Sequence, residues 1–523
     1  MRNLAISYFF LITITAFGQS TTKLAQHLSQ VIEEKGIPGL SLSIIQKGEL
    51  ETTIVGLADR EKNIPLSAKH RMLSGSIGKT YFAAQVMMLV AEGQIDLEKK
   101  AIDYLGDEAW FRTVQNAEDI TIRSLMNHTS GVPEYVYAEN LWKQIKAEPN
   151  KEWTAAERLA FVAIQDPHFP VGQGWSYADA NYIILGAIVE KVTGRKIYDL
   201  VQENILDPLE LKATTPSIKQ NLEGITAAYT GRLFGNIFGD KVSEIGHYGL
   251  APQFEWTGGG FITNSADLAK WIQQLYTGQV VPKALRQEIY TPVNRITGKY
   301  GDLTGYGLGA EIFATKYGIA YGHTGFMPGF LSLMAYLPDY DLAVGIQINT
   351  DPYNSMVKER FSLFDILETV LPFYIKKNKG YKKTTLYLVR HAEKSKDHPR
   401  DPNLSQKGQE RSANLAAQLS DTNISAIYST PYKRTQQTGQ ALAKQVGLEI
   451  RSYSPTYATH IFDILANNQG KKVLVVGHSN TVPNMVNWLC AEAQLPQLGE
   501  KDYGDLFEVQ FKKGKGKLSR SKF

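Results

Sequence analysis

The sequence predicts two domains of different fold class. The first is an α+β sandwich built on an antiparallel sheet, and the second is an α/β domain with a mainly parallel sheet. A chain of 523 residues is too long for one ordinary domain of roughly 100–200 residues. Strand-like runs lie at both ends of the first region with a long helical middle between them, whereas strands and helices alternate after residue 383.

The predicted boundaries divide the chain into four parts. Residues 1–18 form a signal peptide, 19–375 the first domain, 376–383 a lysine-rich linker and 384–523 the second domain. Arg2 is followed by a largely apolar, charge-free run from Leu4 to Phe17, which is shorter than the roughly 18 residues of a membrane span. We therefore expect a secreted, periplasmic bacterial protein with no stable membrane span after cleavage, and the alternative is an uncleaved anchor.

The composition excludes several classes of protein. The net charge of +4 comes from two short basic clusters, in 376–383 and 512–522, which we interpret as a solvated linker and a solvated tail. Outside them acidic residues predominate, so we expect no nucleic-acid partner. Cys490 is the only cysteine, which rules out an intramolecular disulfide. Histidines and carboxylates do not cluster at ligand spacing, so no metal and no cofactor are expected.

Hydrophobic patterning supports each predicted element of the first domain. Two short apolar runs joined by Lys47-Gly48 indicate a hairpin. The predicted strands are Leu40–Ile45, Glu51–Val55, Gly318–Tyr321, Leu331–Leu337 and Leu342–Ile348, and the flanking predicted helices are Leu24–Glu34 and Met356–Val370.

The second domain shows the alternation of βαβ units. Its predicted strands are Thr385–Val389, Ala426–Tyr428 and Lys472–Val476. Its predicted helices are Ser405–Leu419, Arg434–Val446 and Val482–Ala493.

An acylating serine is predicted at Ser76. Ser76-Ile-Gly-Lys79 is an S-x-x-K tetrad, which places serine and lysine one helical turn apart so that the lysine can hold the serine proton. The tetrad also occurs at Ser20–Lys23, Ser355–Lys358 and Ser519–Lys522, so the spacing alone is weak. Only Ser76 follows a turn and opens a long apolar helix, and this context favours it.

Two further motifs follow in order, Trp175-Ser-Tyr-Ala-Asp-Ala-Asn-Tyr182 and Gly322-His-Thr-Gly325. Together with Ser76–Lys79 they resemble the S-x-x-K, Y-x-N and K-T-G or H-T-G motifs of the serine β-lactamase and penicillin-binding-protein family. The segments Leu125–Gly131 and Gly258–Ala269 also resemble the corresponding segments of that family, and the resemblance covers about residues 25–370. Its H-T-G form is most similar to class C-related DD-peptidases and esterases.

The resemblance implies a role for each matching residue. Ser76 would be the nucleophile, Lys79 its proton-holding partner and Tyr177 the phenol that relays a proton to the leaving group. His323 would orient Tyr177 or contact substrate, and Thr324 would bind a substrate carboxylate.

The backbone N–H groups of Ser76 and Phe326 would hold the oxyanion. Asp179 departs from the family's usual asparagine, which puts an anion beside Lys79 and weakens the case for binding β-lactam amides. For His128 and Ser130 we expect only a structural turn, and for Gly258–Gly260 close backbone approach.

A phosphate site is predicted in the second domain. Arg390-His391 and His478 follow strand candidates, and Arg434 opens a helix. Because ligands bind beyond the carboxyl ends of strands in open α/β sheets, these side chains can converge. Two arginines and two histidines suit a phosphate dianion, and a histidine nitrogen can attack phosphorus.

Residues 384–495 resemble the histidine phosphatase superfamily, through Arg390-His391, Ser429-Thr-Pro-Tyr-Lys-Arg-Thr-Gln-Gln-Thr438 and Gly477-His-Ser479. The compact form is most similar to the phosphohistidine-phosphatase-like branch. The resemblance implies that His391 is the nucleophile and that Arg390, Arg434 and His478 bind phosphate. Asp463 is the only carboxylate in 451–470, so the general acid stays unassigned and easily expelled leaving groups are favoured.

The sequence thus predicts an exported two-domain hydrolase. Its substrates would be a small-molecule or peptide acyl compound and a phosphorylated small molecule or phosphohistidine. D-Ala-D-Ala peptides, D-amino acid derivatives, carboxylic esters and β-lactams remain open as acyl substrates. The alternative is a non-catalytic or sensory binder of cell-wall peptides or β-lactams with a degenerate phosphatase domain.

Overall fold

A computed structural model describes most of the chain. The described residues are 16–138, 140–163, 165–231, 237, 239–278, 280–293, 303–315, 317–351, 361–375, 383–453, 461, 464–465, 468–490, 493–512 and 515–523. Most of the predicted signal peptide, linker residues 376–382 and Asp463 lie outside them. Within the described ranges, no helix is both long and apolar enough to cross a membrane.

An eight-stranded antiparallel sheet forms the centre of the first domain, as the sequence predicted. Strands from the N-terminal and the C-terminal part of the domain meet in the middle of the sheet, where Gly39–Gln46 pairs with Leu342–Ile348. The strand order across the sheet is Leu303–Tyr306, Glu311–Thr315, Gly318–Met327, Phe330–Leu337, Leu342–Ile348, Gly39–Gln46, Glu49–Asp59 and Ile64–Pro65.

The predicted hairpin is present, and its turn explains its register. Lys47 and Gly48 have φ values of 56° and 82°. Two consecutive positive φ angles are typical of a type I′ turn, whose twist matches that of the flanking strands. The turn therefore fixes Gln46 opposite Glu49 and places Leu42 and Ile44 in the core.

Helices cover both faces of this sheet, which makes the sandwich. One face packs against the helices Ala16–Lys35 and Leu363–Tyr374. The second of these was predicted to start at Met356, which lies outside the described residues, and it extends past Val370 to Tyr374. The other face packs against Ser265–Thr277 and the helical region between the two halves of the sheet.

The helical region supplies the elements around the predicted nucleophile. Its α-helices are Gly78–Ala91, Ile102–Leu105, Ile122–Met126, Leu141–Ala147, Ala155–Ala160, Asp179–Thr193, Ile197–Val201, Ser265–Thr277 and Lys283–Ile289. Two small antiparallel sheets accompany them, Met72–Leu73 with Phe261–Thr263 and Thr215–Pro216, and Ala228–Tyr229 with Lys241–Glu244 and His247–Tyr248.

The second domain contains a six-stranded mixed sheet. Four strands are parallel, in the order Ile450–Ser452, Ile424–Ser429, Lys472–Gly477 and Thr384–Arg390. The predicted helices occur as Gln406–Leu419, Lys433–Val446 and Thr481–Leu489, and the last ends earlier than predicted.

The C-terminal basic cluster is not the free tail that its charge suggested. Asp505–Lys512 and Lys515–Lys522 form two antiparallel strands that complete the sheet. Arg520 and Lys522 both pair with Asp505, at 2.8 and 2.9 Å. Lysine-rich sequence on an edge strand is a common protection against edge-to-edge association, so the solvated-tail interpretation was wrong about structure though right about exposure.

The helix Gly78–Ala91 depends on a glycine contact. A Cβ atom on Gly78 would lie 1.6 Å from the carbonyl oxygen of Gly259, so two backbones meet there without a side chain between them. On the helix's other side, Tyr81 stacks on Trp271 at 4.5 Å, and the Trp271 indole donates to Thr80. Close packing therefore fixes the helix on both sides.

We predict that Gly78→Ala destabilises the first domain by more than about 2 kcal/mol, because the added methyl group overlaps a backbone oxygen that cannot move alone. Thermal unfolding measures the loss. Gly439→Ala is the control, since its Cβ would have no neighbour closer than 3.3 Å and its effect should stay within about 1 kcal/mol. Equal stability of Gly78→Ala and the parent would contradict the contact.

Candidate active sites

Ser76 lies in a short 3-10 turn, Gly75–Ile77, that leads into the helix Gly78–Ala91. This turn is in backbone contact with the strand Gly318–Met327. A Cβ on Gly75 would lie 2.5 Å from the Phe326 nitrogen, and one on Gly325 would lie 1.8 Å from the Ser74 oxygen. The two backbone segments predicted to hold an oxyanion are therefore adjacent.

Lys79 is completely buried and connects three parts of the first domain. Its Nζ donates to Ser76 Oγ at 3.1 Å, to Asp179 Oδ1 at 2.5 Å and to the carbonyl oxygen of Gly258. An ammonium group has three N–H donors and no acceptor, so these contacts use all of them. The predicted Ser76, Lys79 and Asp179 are thus brought together, and the charge of Lys79 is balanced by one carboxylate.

Tyr177 packs over this lysine, with its ring centroid 4.9 Å from Lys79 Nζ. Its hydroxyl is buried and interacts with Ser76 without reaching regular hydrogen-bond geometry within the described residues. Burial, with the negative charge of Asp179 added, raises the pKa of Tyr177 well above its ordinary value. The phenol is therefore neutral and positioned as a proton donor beside the nucleophile.

His323, expected to orient Tyr177 or to contact substrate, has two hydrogen-bond partners of its own. Its Nδ1 donates to the carbonyl oxygen of Thr324 at 2.5 Å, and its Nε2 lies 2.9 Å from the hydroxyl of Tyr306. Its ring centroid is 6.3 Å from that of Tyr177, and the side chain is fully buried. Direct orientation of Tyr177 is therefore not seen in the described structure, because Tyr306 occupies the free nitrogen.

Thr324 also has a partner that the sequence did not indicate. Its backbone N–H and its hydroxyl donate to the two carboxylate oxygens of Glu311, at 2.7 and 3.0 Å. The position expected to bind a substrate carboxylate therefore already faces a carboxyl group. Glu311 is not part of a recognisable sequence motif. Its place beside Thr324 becomes apparent only from the pairing of Glu311 with Gly322 in the sheet.

Two more buried carboxyl groups lie near Lys79. Glu134 accepts the backbone N–H of Asp179 at 2.5 Å, and Glu255 accepts that of Gly260 at 3.0 Å. Burial raises the pKa of Glu134, and it raises that of Glu255 to about 8. Both are thus largely protonated at neutral pH, which limits the negative charge around one lysine. Neither glutamate occurs in a catalytic motif, so neither could be predicted from the sequence.

The turn at His128 and Ser130 supports the segment that carries Tyr177 and Asp179. Ser130 Oγ donates to Asn181 Oδ1 at 2.6 Å, and the backbone N–H of Ala178 donates to His128 Nδ1 at 3.2 Å. Burial and the nearby charge of Lys79 lower the pKa of His128 well below its ordinary value. These contacts agree with the structural role expected for the turn.

In the second domain, the two predicted histidines meet beyond the ends of adjacent parallel strands. The rings of His391 and His478 are 5.6 Å apart between centroids. His391 Nδ1 donates to the Ala392 carbonyl at 2.8 Å, which leaves Nε2 as the nitrogen with a lone pair. His478 Nε2 lies 3.0 Å from the hydroxyl of Thr430. The tautomer of His391 is thus set by the carbonyl of the next residue.

The two predicted arginines line the same pocket, whose volume is about 600 Å³. Arg390 donates to the carbonyls of Gly499 and Asp502, and its Nε is buried without a hydrogen-bond partner in the described part of the chain. Arg434 contacts the carbonyl of Arg400 at 3.2 Å. Glu500, which lies outside residues 451–470, also lines this pocket.

Burial keeps both histidines of this pocket uncharged. It lowers the pKa of His391 to about 3 and that of His478 to about 4, and the positive charges of Arg390 and Arg434 act in the same direction. A neutral imidazole is the nucleophilic form. The pocket therefore combines positively charged groups with neutral nitrogen atoms, as attack on a phosphate requires.

Comparisons with known proteins agree with both resemblances. The chain matches the Beta-lactamase family over residues 24–366 and the Histidine phosphatase superfamily (branch 1) over residues 386–454, a range that includes His391 and Arg434 but not His478. Penicillin-binding protein 4* of Bacillus subtilis is 25% identical over 299 residues, which are 54% of this chain and 62% of that protein. Esterase EstB of Burkholderia gladioli is 28% identical over 209 residues, 38% of this chain and 53% of its own. The chain thus spans less than two thirds of either relative.

Solved structures show the same fold over the first domain. A D-stereospecific amidohydrolase from Streptomyces sp. has 26% identity and a TM-score of 0.57, and the match covers 68% of this chain and 98% of that one. The D-amino acid amidase of Ochrobactrum anthropi SV3 has 20% identity and a TM-score of 0.58, and the match again covers 68% of this chain and 98% of that one. At this identity it supports the fold alone. The chain therefore belongs to the beta-lactamase family, and its second domain belongs to the histidine phosphatase superfamily.

Proposed function

We propose that the protein is an exported serine hydrolase that cleaves D-Ala-type peptides, esters or related acyl compounds through an acyl-enzyme on Ser76, and that its second domain is a phosphomonoesterase. The observation that carries the first activity is the contact of Ser76 Oγ with Lys79 Nζ at 3.1 Å, with Asp179 2.5 Å beyond it. Relatives named as an esterase and as a D-stereospecific amidohydrolase support the substrate class. Export, to the periplasm, rests on the charge-free apolar run from Leu4 to Phe17.

Proton transfer during acylation follows from the contacts of Lys79. All three N–H groups of Lys79 are donated, and an ammonium has no lone pair to accept a proton. Lys79 therefore accepts the Ser76 proton only as it passes one of its own protons to Asp179. The Ser76 oxygen forms the new bond to the acyl carbon, and the C=O π pair moves to the oxyanion. Lys79 stays an ammonium throughout, and Asp179 holds the proton.

Collapse of the tetrahedral intermediate needs a proton at the leaving group. The neutral phenol of Tyr177 donates it and becomes a phenolate, which takes a proton back from the water that later attacks the acyl-enzyme. The oxyanion meanwhile lies between the backbone N–H groups of Ser76 and Phe326, a stabilisation that contributes on the order of 3–4 kcal/mol in related sites. Water then releases the acyl group along the reverse proton path.

In the second domain, the Nε2 lone pair of His391 attacks phosphorus and the bond from phosphorus to the leaving-group oxygen breaks. Arg390 and Arg434 both line the pocket, and their guanidinium groups offset the phosphoryl charge. Water then hydrolyses the phosphohistidine. Glu500 lines the pocket and is the described carboxylate placed to protonate a leaving group there.

We expect a fluorophosphonate probe to label Ser76 alone, because only this tetrad serine has a lysine amine within hydrogen-bond distance in the described structure. Peptide mapping after labelling locates the adduct, and Ser76→Ala should remove both the label and ester hydrolysis. Ser519→Ala is the control. Its tetrad lies on the strand Lys515–Lys522, where residues three apart face opposite sides.

An adduct that persists in Ser76→Ala, or one found on another residue, would contradict the assignment. Absence of labelling together with tight binding of a penicillin would favour the non-catalytic binder instead.

We expect His391→Ala to lose at least about 10³-fold in hydrolysis of 4-nitrophenyl phosphate, together with any acid-labile phosphoenzyme, because the proposed nucleophilic nitrogen is removed. The parent should remain active at about pH 5, where an exposed histidine would be protonated, because burial keeps the pKa of His391 near 3. Steady-state kinetics and acid-quench trapping of labelled phosphate measure both. The exposed His247 in the first domain is the control position, and His247→Ala should change neither.

Parent-like hydrolysis by His391→Ala would show that this domain is not a histidine phosphatase in function.

A further inference from the structure

A buried carboxyl group with no assigned role, that of Glu311, lies beside Thr324 in the first active site. Glu311 begins the strand Glu311–Thr315 and lies opposite Gly322, which brings its side chain beside Thr324. It is 8% exposed and its carboxylate accepts both the backbone N–H and the hydroxyl of Thr324. Its charge acts on the phenol of Tyr177, and that of Lys79 acts on it, so the group belongs to the same site.

These contacts change what Thr324 can bind. A hydroxyl has one hydrogen, and that of Thr324 is donated to Glu311 at 3.0 Å. Its remaining capacity is that of an acceptor. A substrate carboxylate, which only accepts, would therefore find neither a hydroxyl donor nor a free backbone N–H at Thr324.

The charge of the surroundings leads to the same result. His323 lies 3.9 Å from Glu311, but burial lowers its pKa to about 3 and the ring is neutral. Lys79 is the cation that acts on Glu311, and its three N–H groups are already donated to Ser76, Asp179 and Gly258. Within the described part of the site, a carboxylate beside Thr324 would therefore face an acid and no available cation.

We propose that Glu311 and Thr324 form a subsite for a positively charged ammonium group of the substrate and exclude substrates with a carboxylate at this position. An ammonium donates to the Glu311 carboxylate and to the Thr324 oxygen, so each polar atom gains a suitable partner. Burial raises the pKa of Glu311 to about 7, and a bound ammonium lowers it again, which stabilises the ionised pair. This inference rests on the proposed acylation of Ser76 and names the charge that its substrates carry.

The test uses arylboronic acids, which bind a nucleophilic serine reversibly and need no turnover. We would compare 3-aminomethylphenylboronic acid, 3-carboxyphenylboronic acid and neutral phenylboronic acid by calorimetry on the full-length protein, with Ser76→Ala as the reference for site occupancy. The parent should bind the aminomethyl compound at least about tenfold more tightly than the carboxyl compound, and Glu311→Gln should reduce this ratio by at least about tenfold.

Glu288→Gln is the matched control, because Glu288 pairs with Arg123 near the surface at 2.8 Å and should leave the ratio unchanged. The ratio of the two affinities for the parent protein is measured without a variant, so it tests the subsite even if Glu311→Gln does not fold. Ser76-dependent binding with no preference for the aminomethyl compound would overturn this subsite alone. Absence of Ser76-dependent binding by all three compounds would overturn both the subsite and the proposed acylation.

Discussion

The first active site depends on one buried ammonium group. Lys79 is fully buried, and its hydrogen bonds join the nucleophile turn at Ser76, the helix that starts at Asp179 and the backbone at Gly258. An unpaired ion in such a place costs several kcal/mol, so loss of Asp179 alone would leave the Lys79 ammonium unpaired and destabilise the domain. Gly78 and Gly259 allow the approach that puts the Gly258 carbonyl on this ammonium, since no side chain separates the two backbones.

The surroundings of Lys79 keep other groups neutral. Burial lowers the pKa of His128 and His323 and raises the pKa of Glu134 and Glu255. The second site follows the same principle, because burial beside two arginines leaves His391 and His478 as neutral bases. In both domains the charges are concentrated where the proposed reactions need them, on Lys79 and Asp179 in one case and on Arg390 and Arg434 in the other.

Much of the fold and the central site residues could be predicted from the sequence. The Lys47-Gly48 turn, the strands after residue 318 and the βαβ alternation are local patterns, and the S-x-x-K spacing is a short-range relation across the start of one helix. Glu311 and Tyr306 could not be found this way, because their roles arise from strand pairing and ring packing with His323 and Thr324. The two C-terminal strands could not be predicted because their many lysines are typical of a solvated tail and their apolar residues alternate only weakly. Their pairing is long-range: Asp505–Lys512 pairs with Thr384–Arg390, and Lys515–Lys522 pairs with Asp505–Lys512.

The most direct test of this account is the acylation rate of the double variant Lys79→Met/Asp179→Asn. Removal of both partners leaves no unpaired buried charge, so the protein should stay folded and loss of activity can be attributed to proton transfer. We expect rapid-quench labelling of Ser76 by an activated ester to slow by about 10²–10⁴-fold, the usual contribution of a positioned proton carrier. Acylation of a folded double variant at close to the parent rate would contradict the central role of Lys79.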